Sequence, residues 1–158
     1  MSDTDPKRDF LRHTLATLAY RGGKAVRNAP GEFADFEGAG RRPVQILAHL
    51  GDLMDWALSM AQGKRGYTES QPLGWDEEVR RFFSALQRFD DYLASAEPVH
   101  APIEKLFQGP IADALTHVGQ IAMLRRMAGV PISGENYFVA DIAMGRVGAE
   151  QAAPRKTF

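Results

Sequence analysis

Between Gly109 and Gly129 the chain reads GPIADALTHVGQIAMLRRMAG, and its apolar residues Ile111, Ala114, Leu115, Val118, Ile121, Ala122 and Met127 recur at steps of three and four. That spacing lays a stripe down one side of an α-helix and fits no β-strand, whose faces alternate every second residue. Pro110 suits the first helical turn, where its missing N–H is no loss. Arg125 and Arg126 fall in the last turn, where positive charge meets the negative end of the helix dipole, and Gly129 followed by Pro131 ends the helix. A helix striped in this way has to be covered by other elements.

Three more segments carry the same period. From residue 6 to about 28, Phe10, Leu11, Leu15, Leu18 and Ala19 form one side, with Asp5 before Pro6 as the start signal. The pair Gly22 and Gly23 is expected to kink this helix or end it early. Pro43 to about Gln62 repeats Val44, Leu47, Leu50, Met54, Ala57, Leu58 and Ala61 and stops at Gly63. Trp75 to Ser95 opens on Asp76, Glu77 and Glu78, where negative charge is favoured, and carries Val79, Phe82, Phe83, Leu86, Phe89 and Leu93. The connection 28–42, the turn-rich link 63–74 and the stretch 97–108, where Pro98 and Pro102 leave room for at most a short helical turn, separate the four. Four such helices without a convincing strand predict an all-α fold, an up-and-down four-helix bundle. Beyond residue 130 no period is sustained. Residues 137–144 suit a short helix or an extended cover, and the end from Gln151 looks disordered. The expected organisation is a single domain over 1–158, with a core at 6–131 and a tail at 132–158 that packs or is partly disordered.

With 158 residues and 44% hydrophobic content the chain can bury a core without disulfides. Nineteen basic residues against twenty acidic ones leave no field to hold nucleic acid or an anionic membrane. No apolar run approaches the roughly twenty residues of a membrane helix, and the first residues lack the apolar core of a secretory signal, so the cytoplasm is the expected location. Cysteine is absent. Any metal would therefore sit on His and carboxylate ligands, and any thiol chemistry would need a thiol from outside.

Two polar residues interrupt the face of the last helix: Asp113 and His117, four apart, with Gln120 continuing the line. At that spacing both side chains can reach one metal ion. His49, near the stripe of the second helix, is the natural third ligand in a bundle, where sites form between facing helices. Two histidines and a carboxylate suit zinc, nickel or manganese and also the facial triad of non-haem iron(II). The same residues have a plainer reading. Asp113 would offset a helix dipole, and the histidines would be hydrogen-bonded core residues. His13 and His100 read as surface residues. Trp56 is core or a pocket wall, and residues 133–137 form either a lid or packed tail.

The contexts ILAHLGDLMDWAL and THVGQIAMLRRMAGVP resemble the DinB/YfiT-like superfamily of four-helix-bundle metalloenzymes, whose last core helix reads HxxxHxxQ before a Leu/Arg-rich run and Gly. The resemblance covers roughly residues 6–131. His49 matches the first ligand, His117 the second His of the pair and Gln120 its Gln; Asp113 stands where the family usually has His. The resemblance implies a divalent metal on His49, Asp113 and His117, with Gln120 orienting a bound ligand. It further implies chemistry on a small-molecule substrate, either transfer of a low-molecular-weight thiol or hydrolysis, and often a homodimer. The alternative is a non-enzymatic helical module, for binding or stress response, that keeps the fold with a vestigial site.

Overall fold

The computed structural model describes residues 5–38 and 40–158. Helix α1 (Pro6–Val26) begins where the sequence signals it, with the Asp5 carboxylate accepting the Lys7 N–H at 3.0 Å. The helix does not end early at Gly22 and Gly23 but runs through both. Gly22 is there for close approach, since a Cβ on it would lie 2.9 Å from Cε1 of Phe82 on a neighbouring helix. Helices α2 (Pro43–Ala61) and α3 (Trp75–Ala94) follow the predicted bounds to within a residue.

The last helix departs from expectation. It starts before Pro110, as a short α4 (Ile103–Leu106) that passes through a π turn (Phe107–Ile111) into α5 (Ala112–Met127). Proline inside a helix lacks one N–H and pushes against the carbonyl four residues back. The wider π turn absorbs both effects, so Pro110 lies within a continuous helical path rather than at its start.

Among the described residues there is no strand, only helices and an isolated bridge between Glu135 and Thr157. The long helices pack in pairs, α2 against α3 and α5, and α1 against α5 and α3. Their shared interior holds Leu15, Leu18, Leu47, Leu50, Phe82, Phe89 and Ile121, all fully buried. Each such side chain contributes roughly 1.5–3 kcal/mol by leaving water. Part-buried ion pairs fix how the helices sit together. Arg12 donates to both oxygens of Asp90 at 2.9 and 3.0 Å, linking α1 to α3, and Arg81 reaches back from α3 to Asp52 on α2 at 3.0 Å.

Two stripe residues are exposed, Phe10 at 66% and Met127 at 51%. Each lies near a helix end, where the neighbouring helices no longer face it. Arg125, in the last turn of α5, is buried, its guanidinium turned inward to the carbonyls of Ala25 and Arg27 that close α1.

Parts of the tail pack on the bundle. Glu135 is buried, accepting from the Tyr20 hydroxyl and from the Lys24 ammonium, the latter at 2.7 Å. Val147 is fully buried, and the Phe158 N–H returns to the Gly134 carbonyl at 3.0 Å. A single 3-10 turn, Tyr137–Val139, is all the regular structure that forms between residues 137 and 144. No helix among the described residues is long and apolar enough to cross a membrane.

Candidate metal centre

His49 lies on α2 and Asp113 and His117 lie on α5, two helices in direct contact. Their spacing on α5 stacks Asp113 one turn before His117, and the α2 packing brings the His49 ring edge-on to the His117 ring with centroids 4.7 Å apart. One ligand atom from each of the three lies within 4.8 Å of the other two. His49 Nε2 stands 3.5 Å from Asp113 Oδ2, and His117 Nε2 stands 3.4 Å from Asp113 Oδ1.

Those distances bear on the two readings of the sequence. Both contacts are long for a histidine–carboxylate bond, which closes to about 2.7–2.9 Å at its shortest. Ligand atoms about 2.1 Å from a tetrahedral metal stand roughly 3.4 Å apart, and one atom from each of the three residues lies within 4.8 Å of the others, so small side-chain movements would bring them onto one ion. The helix-dipole account of Asp113 fails. Its backbone lies inside a helical path that begins at Ile103, so no free helix N-terminus is there to be offset.

The far side of each ring is held. As its amide is assigned, Gln120 accepts from His117 Nδ1–H through Oε1 at 2.8 Å, which leaves the lone pair of Nε2 facing a carboxylate oxygen. Two acceptors facing each other repel unless a proton or a metal ion lies between them. His49 Nδ1 is 2.8 Å from the Tyr67 hydroxyl. A ligating histidine whose other nitrogen is tied to an outer partner is the arrangement metal sites use to fix ring and tautomer. The donor set thus fits a divalent cation. Both rings are mostly covered and Asp113 is half exposed, so the group opens to solvent on the carboxylate side. Burial, then the neighbouring His117 and Arg41, push the His49 imidazole below its ordinary value, opposed by Asp113. The neutral ring that results is the form a metal binds.

A cleft of about 500 Å³ opens beside the two histidines. Ile46, Leu124, Met123 and Met127 make its apolar wall, and Arg41 and Gln120 its polar groups. The exposure of Met127 noted above follows from this, since it lines the cleft rather than the core.

Sequence reasoning missed Tyr67, Arg41 and Asp52. Tyr67 belongs to the 63–74 link, which gave no periodic signal. It meets His49 because the buried Asp52 ties that link to α2, accepting from the Ser70 N–H at 2.9 Å and the Ser70 hydroxyl at 2.7 Å. A carboxylate three residues beyond His49, between the apolar Leu50 and Leu53, was the available clue. Trp56 serves this assembly indirectly, packing edge-on against Tyr67 at 5.9 Å. His13 and His100 are exposed and lie outside the cluster. Comparison of the chain with protein-family models, with curated proteins and with solved structures gives no match.

Proposed function

We propose that the protein is a metal-dependent enzyme of the DinB/YfiT-like kind, an up-and-down four-helix bundle in which His49, Asp113 and His117 hold one divalent ion. The observation that carries the reading is the pair of contacts at 3.5 and 3.4 Å from two imidazoles to the two oxygens of one carboxylate, each ring fixed from behind. The bundle is supported by the helix pairing, in which every long helix packs on two others.

A divalent ion bound there would lower the pKa of a thiol or water on it and so supply a nucleophile near neutral pH. Three protein ligands leave further coordination positions for such a group. The chain's own residues do the rest. Gln120 and Tyr67 hold the two rings in ligating orientation, while Ile46, Leu124, Met123 and Met127 cover the apolar body of a small substrate and exclude water from it. Arg41, at the mouth, favours a substrate or thiol bearing negative charge. We assign transfer of a low-molecular-weight thiol to an electrophile as the reaction, with hydrolysis as the second possibility.

The test is metal content by elemental analysis of protein purified without a His tag, for the wild type and for His117→Ala, followed by titration with zinc, nickel, manganese and iron(II). About one equivalent in the wild type and its loss in the variant is the expected result. Equal, near-zero occupancy in both overturns the reading. Assay of a thiol with a panel of electrophiles, with and without chelator, then separates transferase from hydrolase.

A further inference from the structure

A second cleft, of about 230 Å³, lies where the ends of α1 and α5 meet the tail. Its lining brings three cations, Lys24, Arg27 and Arg125, against one carboxylate, Glu135. Glu135 is already taken by the Tyr20 hydroxyl and by Lys24 at 2.7 Å. Among the described residues, the guanidinium groups of Arg27 and Arg125 have no carboxylate within ion-pair distance.

Arg125 is the telling one. It is only 5% exposed, and all its hydrogen bonds go to backbone carbonyls: Nε donates to Val130 at 2.9 Å, and Nη1 to Ala25 at 3.0 Å and Arg27 at 2.7 Å. Among the described residues its Nη2 has no partner, and as no buried polar atom is left unsatisfied, Nη2 keeps some accessible surface on a residue that lines the cleft. A cation withdrawn from water without an opposing charge is costly. Arg27 leans over the same space, its Nη2 3.5 Å from where a Cβ on Gly23 would sit, and no carboxylate bonds to it among the described residues. Asn28 and Ser133 add neutral polar groups, and Ile132, Ala152 and Pro154 an apolar wall.

We propose that this cleft is a second binding site, for a small organic anion whose phosphate or carboxylate oxygens are gripped between Arg27 and Arg125. Arg27 can offer a guanidinium fork to either oxyanion and Arg125 the hydrogens of its remaining Nη2, and the apolar wall leaves room for a compact carbon body. The site is independent of the metal centre and shares no lining residue with it.

The experiment is calorimetric titration with inorganic phosphate and with succinate, each against sodium chloride at equal ionic strength. The proteins are the wild type, Arg27→Gln, Arg126→Gln and His117→Ala. Arg125 is left intact because it also closes α1. Binding beyond the salt control is expected in the wild type, unchanged in Arg126→Gln and His117→Ala and weakened roughly tenfold or more in Arg27→Gln, the value of one charge-assisted bond. The stronger of the two ligands identifies the headgroup class. No binding beyond the salt control, equal affinity in Arg27→Gln, or loss in His117→Ala overturns the proposal.

Discussion

Replacing the two adjacent glycines of α1 by alanine, one at a time, isolates a single steric contact. Both substitutions gain the same helix propensity, about 0.5–1 kcal/mol. They differ in what the new methyl meets. At position 23 the nearest atoms are Arg27 Nη2 and Phe83 Cζ at 3.5 Å, ordinary contact distance. At position 22 they are Cε1 and Cζ of Phe82 at 2.9 and 3.1 Å, with Val118 Cγ2 at 3.6 Å. Phe82 is fully buried, so the ring cannot swing into solvent, and overpacking of this kind costs about 1–3 kcal/mol. Gly23→Ala is therefore expected to stabilise and Gly22→Ala to destabilise. For a chain of this length the two melting temperatures should separate by roughly 2–10 °C, read by scanning calorimetry at one pH and buffer. Because Val118 follows His117, Gly22→Ala should also weaken metal binding while Gly23→Ala leaves it alone. Two variants melting within about 1 °C of each other, or in the reverse order, would show that α1 and α3 are not as close as described.

Tyr67→Phe removes the hydroxyl behind His49 and is expected to weaken divalent-metal affinity about 10–100-fold in a competition titration with a chromophoric chelator. Unchanged affinity would mean that another group orients the ring. Asp52→Ala frees Ser70 and removes one of the carboxylates around Arg81, which keeps Glu78, and should cost about 1–3 kcal/mol in urea unfolding and speed tryptic cleavage after Lys64 and Arg65. A wild-type cleavage rate would refute the anchoring role. Burial and the bond to Glu135 push the Tyr20 hydroxyl up to about 12 from 10. The folded state thus holds that proton more tightly than the unfolded state. This contribution to stability is complete below pH 10 and is lost as pH rises towards 12. Tyr20→Phe should lack that part of the alkaline decline, and parallel declines in both proteins would contradict it.

The positions of α1, α2 and α3 were legible because each carries its own instructions: a proline or acidic residue at the start, apolar residues on one face, and a breaker beyond. The start of the last helix was not. Pro110 in isolation reads as a beginning, and only the packing of α4 and the π turn against α1 and α2 makes a path through it worth forming. Likewise Gly22 and Gly23 read as a weak point until Phe82 stands opposite one of them.

For the site, the sequence by itself determined that Asp113, His117 and Gln120 share a helical face, since spacing on one helix is local geometry. It also singled out His49 as the partner. Whether His49 meets that face depends on how α2 and α5 pack, which no local pattern encodes. The partners behind the rings divide in the same way. Gln120 reaches His117 within its own helix, whereas Tyr67 reaches His49 through a link tied down by Asp52. The unpaired guanidiniums at Arg27 and Arg125 belong wholly to tertiary structure. Burial and the absence of an opposing charge are properties of what surrounds a residue, and a sequence lists only what precedes and follows it.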